Sequence, residues 1–247
     1  MTDPRTSMIS KRLRGVRSVI AVSSGKGGVG KSLIASVLAL ILARKGFKVG
    51  LFDLDLTGPS THIILGTGKL KPREENGIIP PVIEGLKYMS IVHYVHDHAS
   101  PLRGSDISNA LTELLAVTVW GELDYLIMDT SPGICDSTLD LLTLVKDIKF
   151  LIVTTPSNLA FETVRKLISL LLELNASVIG VIENMRMRHS DHTRQQTERL
   201  GARYWGAIAF DPRLEESIGN TDKLLMTEFT KSLEEIAERI LRLRLVE

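Results

Sequence analysis

SSGKGGVGKS, residues 23–32, carries two lysines, and the position of the second decides the fold. From Gly25 to Ser32 the stretch satisfies G-x-x-x-x-G-K-[ST], and it lies between the apolar run VIAV at 19–22 and a long apolar segment from residue 33. Strand, glycine-rich loop and helix in that order are the context a phosphate-binding loop requires. Glycines let the chain wrap its N–H groups around a polyphosphate, and the helix N-terminus adds partial positive charge. Lys31 is placed to neutralise the outer phosphates and Ser32 to offer an oxygen to Mg²⁺. The candidate nucleotide contacts are therefore Gly25, Lys26, Gly27, Gly28, Val29, Gly30, Lys31, Ser32 and Leu33.

Working outward, short and continuously apolar segments recur at 19–22, 49–52, 88–92, 125–128, 150–153, 178–182 and 207–209. Continuous rather than alternating hydrophobicity marks strands covered on both faces, which belong to parallel sheets. The segments between them carry helical periodicity, for instance 32–45, closed by Gly46, and 161–174. The last helix, from about Thr227, lines up Phe229, Leu233, Ile236, Ile240 and Leu243. The expected fold is α/β: a doubly wound, mostly parallel sheet of seven to eight strands with helices on both faces. Residues 66–85, with Pro72, Pro80 and Pro81, read as a surface excursion with a small hairpin. Residues 1–16 read as a basic, solvated N-terminal tail and 17–247 as a single P-loop domain.

Hydrophobic residues make up 44% of the chain and charged residues 24%, which suits a globular protein with a sizeable core. A formal net charge of +1 gives no reason to expect a nucleic-acid partner. One cysteine, Cys135, rules out an intramolecular disulfide and a Cys-x-x-Cys pair, which fits a reducing cytoplasm. The longest apolar run, LIASVLALILA at 33–43, falls well short of the roughly 20 residues of a membrane-spanning helix. No signal-peptide pattern opens the sequence, so a cytoplasmic protein without stable membrane association is expected.

The loop SGKGGVGKS resembles the deviant K-G-G-x-G-K-[ST] loop of the Mrp and MinD family of P-loop ATPases, of the SIMIBI class. FDLDLTGPS at 52–60, LDYLIMDTSPGICD at 123–136, VTTPSNLAFETVRK at 153–166, GVIENM at 180–185 and FDPRL at 210–214 extend the likeness over most of the chain. GPS, ENM and DPRL are closest to the Mrp branch. The resemblance implies a homodimer across the nucleotide sites, with Lys26 reaching the phosphates of the partner subunit as an arginine finger does elsewhere. The alternative is that Lys26 binds phosphate in its own subunit. It further implies that Asp55 orients the attacking water, that Asp53 supports Mg²⁺, and that Asp129 binds Mg²⁺ through water while Gly133 senses the γ-phosphate. Asn184 can both donate and accept toward adenine, or cap its strand. Pro212 and Arg213 match the loop that flanks the base. No N-K-x-D signature occurs, so ATP/ADP with Mg²⁺ is expected rather than a guanine nucleotide. Ser131 and Cys135 depart from the proline and glycine usual there, which puts the trigger geometry of the switch in question.

Iron–sulfur carriers of this family place a Cys-x-x-Cys a few residues after ENM, where this chain reads RMRHSDHTRQ. Two copies of Cys135 fall short of the four thiolates of an all-cysteine cluster, so no cluster is expected on the chain. Transition-metal candidates are His93, His96 and His98, and His189 with His192. A P-loop ATPase without the cysteine pair also resembles the archaeal ATPase-type HypB family of hydrogenase maturation factors, whose partner is a HypA-type nickel metallochaperone. The expected function is an ATP-hydrolysing dimeric switch in metallocentre assembly, most simply nickel delivery. The alternatives are an Mrp-type iron–sulfur carrier and a MinD/ParA-type positioning ATPase.

Overall fold

The computed structural model of the chain describes residues 3–68, 70–94 and 104–244. In chain order they form α1 (Pro4–Leu13), β1 (Val19–Ser24), α2 (Lys31–Arg44), β2 (Val49–Asp53), α3 (Thr61–Leu65), β3 (Arg73–Glu74), β4 (Ile78–Ile79), β5 (Val82–Ile83) and β6 (Leu86–Ser90). After these come α4 (Ser105–Val117), β7 (Tyr125–Asp129), α5 (Asp136–Leu144), β8 (Lys149–Thr154), α6 (Asn158–Glu173) and β9 (Ser177–Arg186). The chain continues with α7 (His192–Arg199), β10 (Tyr204–Ala209), α8 (Thr221–Leu225) and α9 (Glu228–Arg244).

Every residue of β1 and β2 is buried, which is why neither shows alternation in the sequence. Among the described residues the strands assemble into one eight-stranded sheet, ordered β10-β9-β8-β1-β7-β2-β6-β5, with β3 and β4 forming a separate hairpin. Neighbours in the large sheet run parallel except β5 against β6. The seven- to eight-stranded, mostly parallel sheet read from the sequence is present, and its hairpin falls inside 66–85. One core lies between the sheet and α2 and α9, with Ile34, Leu38, Leu233 and Ile236 buried. The other lies beneath α4, α5 and α6, with Leu111, Leu141, Val164 and Leu167 buried. β1 sits between β8 and β7, so the loop that follows it opens at the crevice where α/β folds bind ligands, outside the carboxyl ends of the strands.

The N-terminal segment differs from the solvated tail expected for residues 1–16. Asp3 accepts a hydrogen bond from Arg5 N, Pro4 occupies the first turn, and α1 follows. Both are helix-start signals. Ile9 is fully buried in the second core, and Arg12 donates to the carbonyls of Ala116 at 3.1 Å and Asn76 at 2.6 Å. The basic residues drew attention away from one apolar position that tertiary packing turns into an anchor. No helix among the described residues is long and apolar enough to cross a membrane.

Candidate nucleotide-binding site

β1 ends at Ser24 and α2 begins at Lys31, with the glycine loop between them. Gly30 is the N-cap of α2 at φ +83°, a left-handed conformation that costs glycine little, and no side chain caps the helix. The first-turn N–H groups therefore face the loop's interior, as anion binding requires. A Cβ on Gly30 would collide with the Asn184 amide, whereas Gly27 and Gly28 have open space around them. Ser24 Oγ donates to the Lys26 carbonyl at 3.0 Å and holds the loop's first turn. Val29 is buried, Ser32 and Leu33 half-buried.

Three carboxylates line the strand ends beside the loop. Asp129 is fully buried at the end of β7; its Oδ1 lies 2.5 Å from Lys31 Nζ, and its Oδ2 has no hydrogen-bond partner. Burial pushes its pKa up, while Lys31 and Ser32 oppose that shift. Asp55 lies 3.9 Å from the same ammonium, and its other oxygen accepts from Thr57 Oγ1 at 2.9 Å and Gly58 N at 3.2 Å. Asp53 is different, because both its oxygens are occupied within the protein. Oδ1 accepts from Asp55 N at 3.1 Å, and Oδ2 from Thr61 Oγ1 at 2.5 Å and Thr61 N at 3.2 Å. Burial, then the charge of Asp129, pushes its pKa up to about 7. Asp53 thus ties the Asp55 loop to α3. Thr61 and Tyr88, whose hydroxyls lie 3.0 Å apart, were not picked out by sequence reasoning. Their role depends on contacts that no local pattern announces.

On the other side of the loop, Asn184 Nδ2 donates to the Val29 carbonyl at 2.9 Å, fastening β9 to the phosphate loop. Beside it, fully buried Glu183 accepts from Arg186 Nε and Nη2, both at 3.1 Å, and from Tyr204 Oη at 2.9 Å. Arg186 also reaches the Ser190 carbonyl at 3.2 Å. This network holds the segment after β9 and was likewise missed from sequence, where Glu183 read only as part of the ENM motif.

Gly133 N donates to the Ser24 carbonyl at 2.7 Å, so the segment after β7 touches the start of the phosphate loop. Cys135 follows, half-buried, with Sγ 3.0 Å from Ser137 Oγ. Lys26 is half-exposed and has no ion-pair partner among the described residues. Pro212 and Arg213 are exposed past β10, with Arg213 N bonded to Asp211 Oδ1 at 3.0 Å. Ile134, Leu159, Met187 and Phe210, just past the carboxyl ends of β7, β8, β9 and β10, are exposed.

Among the described residues, the candidate histidines do not gather at the site. His189 and His192 are exposed on either side of the start of α7. His93 packs edge-on against Tyr88, with ring centroids 5.6 Å apart, and burial lowers its pKa. His96 and His98 lie outside the described residues. Among the described residues no group of three or more His, Cys, Asp or Glu side chains is placed to hold a metal ion.

Residues 15–242 match the family model described as NUBPL iron-transfer P-loop NTPase, of the ParA group. The chain is 36% identical over 233 residues to the iron–sulfur cluster carrier protein of Aquifex aeolicus, covering 88% of this chain and 64% of that protein. It therefore spans just under two thirds of that relative's length. It is 35% identical over 255 residues to the cytosolic Fe-S cluster assembly factor NUBP2 of Rattus norvegicus, covering 93% and 94% of the two chains. Among solved structures, a nucleotide-binding protein from Archaeoglobus fulgidus in complex with ADP is similar with a TM-score of 0.73 at 28% identity, covering 95% of this chain and 93% of that one.

Proposed function

Because the chain belongs to the NUBPL iron-transfer family of P-loop NTPases, we propose that it is an ATP-hydrolysing switch in metallocentre assembly, working in the cytoplasm as a homodimer that closes over two nucleotides. The observation that carries this reading is the meeting of Lys31, Ser32, Asp55 and Asp129 at the open end of the glycine loop, with Asp129 Oδ2 buried and unbonded. A buried carboxylate oxygen without a partner is costly unless a cation or water satisfies it. Ser32 and Asp129 would hold Mg²⁺, which when bound neutralises charge on the β- and γ-phosphates.

The chain's own residues divide the remaining work. Loop N–H groups and Lys31 bind the phosphates, and Asp55 accepts the proton of the attacking water at its carboxylate. Asp53 positions the Asp55 loop through its hydrogen bonds to Asp55 and Thr61. Gly133, through its contact with Ser24, passes the phosphate state to α5. Asn184 holds the loop by its amide nitrogen and offers its remaining acceptor to adenine, with Pro212 and Arg213 beside the base. Lys26, whose ammonium has no ion-pair partner among the described residues, reaches across to the partner's triphosphate.

The relatives' names favour iron–sulfur clusters as cargo. The single cysteine favours a division of labour in which a partner holds the metal, since Cys135 from two subunits supplies two thiolates where an all-cysteine cluster takes four. Nickel delivery together with a HypA-type metallochaperone is the second reading, favoured by that same count. The test measures phosphate release and mass in solution with ATP, with a non-hydrolysable analogue and with ADP, each with and without Mg²⁺. Magnesium-dependent hydrolysis and a dimer in the analogue support the proposal; a protein that binds no nucleotide, or stays monomeric throughout, overturns it. Nickel and iron affinities of a metallochaperone, measured with and without the protein and ATP, separate the two cargoes.

A further inference from the structure

Far from the nucleotide end, Arg203, Tyr204, Trp205, Arg239 and Arg242 line an open pocket of about 470 Å³ at the outer edge of the sheet. Two of its guanidinium groups are held by contacts other than acids. Arg203 lies over the Trp205 ring, 5.3 Å from the centroid, within the range of a cation–π contact. Trp205 is itself fixed, donating from Nε1 to the Ile179 carbonyl at 2.8 Å. Arg239 donates from Nε to the backbone carbonyl of Glu235 at 3.2 Å, and its fork lies across Gly206, where an added Cβ would come within 3.3 Å of Nη2. Gly206, at φ +143°, thus leaves the room Arg239 occupies. Arg242 follows on the same helix. Glu238, four residues before it, is bound to Lys45 at 2.8 Å and interacts with the Arg242 charge only at longer range. Among the described residues none of the three arginines has an ion-pair partner.

We propose that this arginine pocket docks an acidic segment of a protein partner. The Arg203 and Arg239 forks, ordered by an indole and a backbone carbonyl rather than by carboxylates, and the exposed Arg242 beside them keep donors for a ligand, and a carboxylate is the group whose geometry matches them. The pocket is wide and open, which suits an extended chain segment; small ligands are buried for most of their surface in enclosed clefts. Arg203 precedes β10, so the pocket lies toward the amino ends of the strands, while the phosphate loop lies beyond their carboxyl ends. A partner held here leaves the face that meets a second subunit free, and this inference does not depend on the nature of the metal cargo.

The experiment titrates the full chain with a fluorescent poly-glutamate peptide, a poly-glutamine peptide of equal length and a short DNA duplex. It is repeated with the triple variant Arg203→Ser/Arg239→Ser/Arg242→Ser and with single Arg203→Gln and Arg242→Gln variants, which keep the claim testable if the triple variant does not fold. Expected are saturable binding of poly-glutamate that falls with salt, no binding of poly-glutamine, and a loss of at least about tenfold in the triple variant with ATP hydrolysis unchanged. Unaltered affinity in the folded variants, absence of poly-glutamate binding, or tighter binding of the duplex through the same arginines overturns the proposal.

Discussion

Lys31 Nζ lies 2.5 Å from Asp129 Oδ1 and 3.9 Å from Asp55 Oδ2, so one buried ammonium serves the carboxylates at the ends of two neighbouring strands. Removing it leaves two buried acids facing each other without a counter-charge. Lys31→Ala is expected to abolish nucleotide binding, whereas Asp129→Asn keeps binding and lowers ATP turnover about a hundredfold or more, as loss of a preorganised electrostatic contact does. Equilibrium binding of a fluorescent ATP analogue and steady-state phosphate release distinguish the two.

The Lys26 ammonium has no ion-pair partner in its own subunit among the described residues. Lys26→Ala is expected to bind ATP normally and to hydrolyse it poorly. Mixed with Asp55→Asn, it should regain about a quarter of wild-type turnover, because in a symmetric dimer half the pairs are mixed and each mixed pair holds one intact site. Two inactive variants that remain inactive when mixed would place Lys26 in its own subunit's site.

Asp53 has a pKa raised from 3.8 to about 7 in the fold. The folded protein therefore binds more protons than the unfolded chain between those values, and the stability this provides is full below pH 4 and lost as pH rises through 7. Thermal melts in the presence of a chelator should show the melting temperature falling across this window. Asp53→Asn flattens the slope, leaving the part due to Asp129, whose pKa is also raised. An unchanged slope would remove Asp53 as its source.

Ile9 is fully buried beneath α4, although it belongs to a segment whose composition reads as a tail. Ile9→Ala is expected to cost about 2–4 kcal/mol by denaturant unfolding. Met8→Ala, at a position 40% exposed, should stay within about 0.5 kcal/mol. Equal, small effects would mean that α1 adds nothing to the fold.

Glu183 is 0% exposed and answered by Arg186 and Tyr204. Arg186→Ala leaves a buried carboxylate without its cation and is expected to destabilise by about 2–3 kcal/mol, reduced from the cost of a fully buried pair because Arg186 is itself partly exposed. Combining it with Glu183→Gln should recover part of that loss, a coupling that a double-mutant cycle measures.

The loop from Gly25 to Ser32, the apolar strands and their helical crossovers were legible because each is encoded within a few neighbouring residues: a glycine spacing, a run of apolar side chains, a capping residue. The same locality explains why Lys31, Ser32, Asp55 and Asp129 could be placed together in advance, since parallel strands bring their carboxyl ends to one edge. Asp53 read the same way, and the structure adds a partner the sequence did not name, Thr61, eight residues on. The helix at residues 4–13 was signalled by Asp3 and Pro4, yet its reason for existing, the burial of Ile9 under α4, is a distant contact.

By itself, then, the order of amino acids determined the phosphate loop, the sheet class and the acids at the strand ends, because those follow from short-range geometry. Tertiary structure alone decided that Glu183 would meet Tyr204 across 21 residues of chain, and that Arg203, just before β10, would stand beside Arg239 and Arg242 of α9 with no ion-pair partner among the described residues. Such groupings arise from packing between segments far apart in the chain, and a side chain's charge or burial there depends on neighbours that no local pattern names.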